Sequence, residues 1–289
     1  MTAGDAAAGA PRGVSRRMVL GAALGVTAAV AAGSGGALIP TAGASASRSR
    51  IDLVLIHGGS HGGWAWRRVV AELDPRRGRI LTPTLPGVGD RAHRLAPDIR
   101  FQDGVDDIVA TIDAEELEDV VLVGHSIGGA YVSAVAERIA DRLRGAVYLD
   151  AVVVDPGERI LDVLTPASRA ALPTVVAQAG QGYFIPRPQD PAMFGVTRPR
   201  DIEWLARRLT AHPWSSWSDV VPLQGTMPDV PLLYVDSTAP RFADVGPSKE
   251  RVRARPDRWK TTTIATGHDA MVTAPVEVAR LIRRFCADL

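Results

Sequence analysis

Short apolar runs alternate with amphipathic stretches along most of this chain. In the amphipathic stretches, apolar residues recur at helical spacing, most clearly at Val105, Ile108, Val109 and Ile112. This pattern predicts helices over Trp66–Leu73, Phe101–Glu116, Ile127–Ile139 and Ala274–Cys286. The apolar runs predict buried strands over Ile51–Ile56, Arg79–Thr84, Val120–Val123, Ala146–Leu149, Pro231–Val235 and Thr261–Ile264.

The order of these elements predicts the fold class. Strands that alternate with helices indicate an α/β fold, with a mostly parallel central sheet and helices on both faces. The rhythm changes over residues 155–223, where prolines and glycines scatter and no strand is obvious. Trp204, Trp214 and Trp217 lie there, and three tryptophans would be unusual in a solvated loop. We therefore predict an inserted cap over this segment.

The N-terminal segment has the features of an export signal. The pair Arg16-Arg17 precedes an alanine- and glycine-rich apolar run over residues 18–39, and Ala44-Ser45-Ala46 resembles a cleavage site. These features predict a twin-arginine (Tat-type) signal over residues 1–46, a mature domain over 47–289, and a secreted or periplasmic location. A retained membrane anchor is the alternative, although the many small residues make the run only weakly apolar.

Composition excludes several classes of partner. The 289 residues carry a net charge of +1 and are 46% hydrophobic, an ordinary balance for a globular protein. Removing the predicted signal, which carries three arginines against one aspartate, changes the net charge from +1 to −1. No basic surface is therefore expected for nucleic acid, and no stable membrane association is expected after cleavage. Cys286 is the only cysteine, so no intrachain disulfide is possible.

Motifs for cofactors and metals are missing from the sequence. Neither G-x-x-x-x-G-K-[ST] nor G-x-G-x-x-G occurs, so no nucleotide cofactor is expected. His57 and His61 have a metal-like spacing of four. The residues between them, Gly58-Gly59-Ser60, disfavour a helix, and no carboxylate lies close by in the sequence. The sequence therefore predicts neither a cofactor nor a metal site.

The strongest chemical motif is Gly124-His125-Ser126-Ile127-Gly128, which stands between a predicted strand and a predicted helix. A serine in G-x-S-x-G at such a junction sits on a turn so sharp that its neighbours two residues away must be nearly free of side chain. This turn exposes Oγ at the carboxyl edge of the sheet and directs the N–H of Ile127 toward a developing oxyanion. We therefore predict that Ser126 is a nucleophile.

Several segments in order make the chain similar to the α/β-hydrolase family, in particular to its small-cap branch of bacterial esterases, plant methylesterases and hydroxynitrile lyases. The segments are LVLIHGGSHGGWAW (53–66), LPGVGD (85–90), VVLVGHSIGGAYVS (120–133), VYLDA (147–151), HPWSSW (212–217) and TGHDAMVTAP (266–275). The resemblance implies an α/β-hydrolase fold for residues 47–289. It also assigns the oxyanion hole to the N–H groups of Gly59 and Ile127.

The serine needs a base to take its proton. His268 follows the last predicted strand, and the chain order Ser126 then His268 is the expected one. His57 is expected to be structural and His125 to flank the nucleophile. His61 is expected at the entrance of the site, while His93 and His212 are expected on the surface or in the cap.

More than one residue could be the acid that orients the base. By the resemblance, it should stand about 28 residues before the histidine, where this chain has Pro240. Three residues could replace it: Asp150 at the end of a strand, Asp236 earlier in the next strand, and Asp244 in a later loop. We favour Asp150 and leave the other two open.

The sequence therefore predicts an exported serine hydrolase that cleaves a carboxylic ester. Aromatic and sulfur side chains of the predicted cap favour an apolar small-molecule substrate; they are Trp204, Trp214, Trp217, Phe184, Phe194 and Met193. Three alternatives remain: a hydroxynitrile lyase, a lactone-opening or cyclising enzyme, and a catalytically silent ligand-binding protein. Gly58 and the lack of lysine before Lys249 disfavour the lyase, while Pro240 favours the silent protein.

Overall fold

Six parallel strands form the central sheet in the computed structural model, which describes residues 50–289. Numbered along the chain, they are β1 (Asp52–Ile56), β2 (Ile80–Leu81), β3 (Val120–His125), β4 (Leu143–Leu149), β7 (Leu232–Ser237) and β8 (Lys260–Ile264). Their order across the sheet is β2-β1-β3-β4-β7-β8, and every pairing is parallel. The predicted export signal lies outside the described residues.

The central strands are apolar on both faces because helices cover both sides of the sheet. Every residue of β1 and β3 is buried. Val120 and Leu122 pack into one hydrophobic core, whereas Val121 and Val123 pack into the other. This alternation is the two-residue period of a strand, and it divides the apolar side chains between two layers of helices.

The helices that cover the sheet are α1 (Arg67–Val70), α2 (Phe101–Ala114), α3 (Gly128–Arg138), α7 (Gly246–Arg253), α8 (Ala270–Thr273) and α9 (Pro275–Ala287). α2 and α3 share one core, where Phe101 stacks on Tyr131 with ring centroids 4.0 Å apart. α1, α8 and α9 contribute to the other core. The layers on the two faces match the predicted fold class.

The segment 155–223 contains more regular structure than its sequence indicates. It forms α4 (Pro166–Ala179), α5 (Pro199–Ala206), α6 (Ser215–Ser218) and an antiparallel pair of two-residue strands, β5 (Phe184–Ile185) and β6 (His212–Pro213). Backbone bonds attach it to two loops at the carboxyl edge of the sheet. Thr210 N–H donates to Ser60 O at 3.0 Å, and Asp269 N–H donates to Phe194 O at 3.1 Å.

Two predicted elements are shorter than expected. The second strand covers two residues rather than Arg79–Thr84, since Pro83 has no N–H for a sheet bond and the strand lies at the sheet edge. The helix predicted over Trp66–Leu73 begins as a 3-10 turn over Gly63–Trp66 and ends at Val70. α7 lacks a predicted counterpart, because its strongly polar sequence shows no apolar periodicity. Within residues 50–289 no helix is long and apolar enough to span a membrane.

Candidate active site

Ser126 lies on a strained turn between β3 and α3. Its φ is 54°, in the left-handed region that costs a non-glycine residue energy. Glycine is required on either side, because a Cβ at Gly124 would lie 2.6 Å from the carbonyl oxygen of Gly128. A Cβ at Gly128 would in turn lie 2.7 Å from Ile56 O. The predicted sharp turn at G-x-S-x-G is therefore present.

His268 lies in the loop after β8 and forms a buried pair with Asp150. The distance from His268 Nδ1 to Asp150 Oδ2 is 2.7 Å. The ring stacks on Phe242 with centroids 4.2 Å apart, which fixes its plane. When Nδ1–H donates to the carboxylate, Nε2 keeps its lone pair and can accept a proton. Ser126 and His268 line the same cavity.

Asp150 is held in place from several sides. It follows β4 with a φ of 45°, which aspartate tolerates better than most residues. Its Oδ1 accepts the N–H of Ser237 at 3.1 Å, and Lys249 Nζ lies 2.7 Å from the same oxygen. Burial alone would raise the pKa of the Asp150 carboxyl, but the hydrogen bond from His268 and the charge of Lys249 lower it. The carboxylate is therefore ionised beside His268.

The other two candidate acids do not contact His268 in the described structure. Asp236 Oδ1 lies 2.7 Å from Lys249 Nζ, and its other oxygen faces Arg253 at 3.0 Å. Asp244 accepts a hydrogen bond from Thr165 Oγ1 at 2.6 Å and lies in the cavity wall. Of the three acids that the sequence leaves open, the structure brings only Asp150 to the histidine.

Gly59 and Ile127 border the same cavity as Ser126. A Cβ built on Gly59 would lie 3.9 Å from Ile127 Cδ1, so the two residues are neighbours. Within residues 50–289, neither backbone N–H donates to another backbone group. Both donors are thus available to an oxygen atom placed at Ser126.

The cavity has a volume of about 140 Å³ and a mainly apolar wall. Residues of the 155–223 segment supply part of this wall, among them Leu164, Leu172, Ile185, Pro188, Met193, Phe194 and Trp217. Half of the predicted apolar set therefore lines the cavity. Trp204, Trp214 and Phe184 do not line it, and the Trp204 ring instead packs edge-on against Trp64 with centroids 5.1 Å apart.

The remaining histidines are buried, apart from the exposed His93. His57 Nε2 accepts the N–H of Leu85 at 3.1 Å, and burial lowers the pKa of His57 to about 4. His125 Nε2 donates to His268 O at 3.0 Å. Of the two positions expected for His212, on the surface or in the cap, it has the second, because it lies within the 155–223 segment. His212 is fully buried within β6 and accepts the N–H of Ser60 at 2.9 Å.

A second histidine–carboxylate pair lies beside the first. His61 Nε2 is 3.1 Å from Asp269 Oδ2, and its Nδ1 is 2.6 Å from Gly59 O. Burial would lower the pKa of His61, but the nearby Asp269 carboxylate raises it overall. A protonated ring donates to both oxygens. His61 therefore connects the Gly59 loop to the loop that carries His268, and it lines the cavity that contains Ser126.

This pair predicts a pH-dependent stability. Because the pKa of folded His61 lies above the ordinary value of 6.5, its stabilisation is fully present below about pH 6.5 and is lost as pH rises through the folded pKa. His61→Gln should lower the free energy of unfolding by about 1–3 kcal/mol at about pH 5.5, and by less at about pH 8.5. Urea denaturation at both pH values measures this difference. His93→Gln is the matched control, and an equal loss from His61→Gln at both pH values would contradict the prediction.

Sequence reasoning missed two residues of this region, Lys249 and Asp269. A weak signal existed for the first, since Lys249 and Lys260 are the only lysines in the chain. Asp269 directly follows His268, but only the fold shows that His61 is its partner. No group of three or more candidate metal ligands occurs within the part of the chain that the structure describes.

Comparison with known proteins places this chain in a family. Residues 53–281 match the model of the alpha/beta hydrolase family. The carbendazim-hydrolysing esterase of Nocardioides sp. strain SG-4G is 33% identical over 244 residues, which cover 79% of this chain and 96% of that esterase. A putative chloroplastic methylesterase 12 of Arabidopsis thaliana is 33% identical over 113 residues, which cover 38% of this chain and 32% of that protein.

Solved structures show the same fold. An extracellular α/β-hydrolase from a Paenibacillus species superposes with a TM-score of 0.71 at 19% identity, over 81% of this chain and 98% of that one. The family model and this structural likeness agree with the fold built on the six-stranded parallel sheet. The chain therefore belongs to the alpha/beta hydrolase family, as an enzyme of that class related to esterases.

Proposed function

We propose that this enzyme is an exported serine hydrolase that cleaves carboxylic esters through an acyl-enzyme on Ser126. The observation that carries the proposal is the position of His268, which contacts Asp150 through Nδ1 and borders the cavity that contains Ser126. A nucleophile, a base and an orienting acid in this relation are the arrangement that activates a serine hydroxyl.

In the proposed mechanism, His268 Nε2 takes the proton of Ser126 Oγ while the oxygen attacks the ester carbonyl carbon. The N–H groups of Gly59 and Ile127 donate to the oxyanion, which should contribute about 3 kcal/mol of barrier lowering each. Asp150 stabilises the imidazolium, which returns its proton to the leaving alcohol. A water molecule, deprotonated by His268, then releases the acid and regenerates Ser126.

The cavity supports a small, apolar substrate. Its wall is mostly aliphatic and aromatic, and its volume of about 140 Å³ suits a short acyl or alcohol group rather than a polymer. Relatives that are named as a carbendazim-hydrolysing esterase and as a putative methylesterase support a small-molecule substrate for this enzyme. We propose that segment 155–223 acts as the cap that shapes this selectivity.

Direct assay tests the proposal. The purified chain should hydrolyse p-nitrophenyl acetate and butyrate faster than the octanoate, and a fluorophosphonate probe should label it once per chain. Activity in the culture medium or periplasm rather than the cytoplasm tests the export part of the proposal. A chain that neither labels nor hydrolyses any of the three esters would favour the silent binding protein.

Two of the alternative functions are weakened by specific residues. The silent protein drew its support from Pro240 in the usual acid position, and the Asp150–His268 contact supplies an acid from another strand. The hydroxynitrile lyase needs a cap lysine, and the sequence has no lysine before Lys249. A lactone-opening or cyclising enzyme would use the same serine and histidine, so measured turnover of linear esters discriminates against it.

A further inference from the structure

A buried lysine lies behind the His268–Asp150 pair. Lys249, in α7, is only 4% exposed. Its Nζ lies 2.7 Å from Asp150 Oδ1 and 2.7 Å from Asp236 Oδ1, and it donates to Ser237 O at 3.0 Å. The ammonium group is thereby held by one hydrogen bond and two ion pairs. A lysine is almost never so fully buried unless it is paired, and this one is paired twice.

The side-chain chemistry suits this place. The chain uses arginine at all but two of its 33 basic positions, and the other lysine, Lys260, is exposed. An arginine would present a planar fork that suits one carboxylate, whereas an ammonium is a compact charge that can lie between two. Asp150 and Asp236 both lie 2.7 Å from the same Nζ atom, so without it two like charges would face each other.

We propose that Lys249 is a positioning residue for the reaction. It holds one oxygen of Asp150 so that the other meets His268, and it offsets part of the charge of that carboxylate. This inference rests on the proposed function in that His268 is taken as the base. Lys249 does not line the cavity, so it acts through Asp150 rather than on the substrate.

The sign of the effect follows from charge. Asp150 alone would stabilise the imidazolium form of His268, whereas a cation 2.7 Å from the carboxylate opposes that stabilisation. Removing Lys249 should therefore move the acid limb of the kcat/KM profile to higher pH. Removing the charge of Asp236 leaves Lys249 with one counterion fewer, and should move the limb to lower pH.

Other charged or titratable groups surround His268 and stay unchanged in these variants. They are His125 at the end of β3, His61 in the loop after β1, Asp269 in the same loop as His268, and Asp244 in the turn after β7. Arg241 and Arg253 face Asp236. Burial lowers the pKa of His125 well below its ordinary value, so this neighbour is neutral across the acid limb. The difference between variants therefore reports the Lys249–Asp236 charges.

The experiment compares four full-length chains: wild type, Asp236→Asn, the double variant Lys249→Met/Asp236→Asn, and Lys260→Met as the matched lysine control. The double variant removes one positive and one negative charge together, so the net charge of the cluster is unchanged, and Asp150 keeps its contacts with His268 and with the N–H of Ser237. In the double variant we expect the midpoint of the acid limb of kcat/KM to move up by about one pH unit, which is a tenfold loss of kcat/KM at pH values well below the midpoint. Asp236→Asn should move the midpoint of the acid limb to lower pH, and Lys260→Met should leave it unchanged. KM at high pH should change little in all three variants.

An NMR titration of the His268 ring, assigned by its loss in His268→Gln, reports the same midpoints without requiring turnover. It separates this inference from the proposed function, since the midpoint shifts are expected even if no ester is hydrolysed. Opposite shifts of the His268 midpoint in Asp236→Asn and in the double variant support the proposal. Coincident midpoints in wild type, Asp236→Asn and the double variant would overturn it and leave Lys249 a structural residue, whether or not the enzyme hydrolyses esters.

Discussion

Replacing Ser126 by alanine should lower kcat for p-nitrophenyl butyrate by about 10⁶-fold and abolish labelling by a fluorophosphonate. The proposed acyl-enzyme forms on Ser126 Oγ, and Ser126 lies on the left-handed turn at the carboxyl end of β3. Alanine keeps the Cβ and the backbone at φ 54°, so the cavity and the His268–Asp150 pair should remain. Steady-state kinetics and gel fluorescence measure the two effects.

Ser133→Ala is a suitable control for this variant. Ser133 is buried in α3, donates to Gly129 O at 3.2 Å, and does not line the cavity. The variant should keep its label and most of its turnover, while loss of the 2.8 Å hydrogen bond between Ser133 Oγ and Tyr148 Oη should lower its thermal stability. Strong labelling of Ser126→Ala would place the reactive nucleophile elsewhere and would remove the basis of the proposed mechanism.

Asp150→Asn should lower kcat by about 10⁴-fold, the second largest effect. The N–H of Ser237 donates to Oδ1 and the Lys249 ammonium lies 2.7 Å from it, so an asparagine would keep its carbonyl oxygen at that position. Its amide NH₂ would then face His268 Nδ1 and donate to it. This contact selects the tautomer with the proton on Nε2, which cannot accept the proton of Ser126.

Comparison of three aspartate variants makes this prediction specific. Asp236→Asn should cost about tenfold or less at high pH, because Asp236 reaches His268 only through Lys249. Asp244→Asn should alter KM more than kcat, since Asp244 lies in the cavity wall. If kcat falls as far in Asp236→Asn or Asp244→Asn as in Asp150→Asn, Asp150 is not the residue that orients His268. Circular dichroism of each variant separates chemical loss from unfolding.

Local sequence determined the parts of this protein that depend on neighbours in the chain. The strands at Ile51 and Val120 and the turn at Ser126 follow from apolar runs and from glycines at fixed distances, and each lies where the pattern predicts. The helices that begin at Phe101 and Pro275 follow from apolar residues at helical spacing. These elements depend on residues that are close together in the chain, so they can be predicted from the sequence alone.

Tertiary structure decided the features that join distant segments. Asp150 and His268 are 118 residues apart, and His61 and Asp269 are 208 apart. The sequence could place an acid at the end of each of two strands, but it could not show which carboxylate faces the histidine. That choice depends on the order of β4 and β7 in the sheet and on Lys249 from α7, which lies between the two carboxylates. Burial of these charges makes such pairing obligatory, and only the folded chain determines the partners.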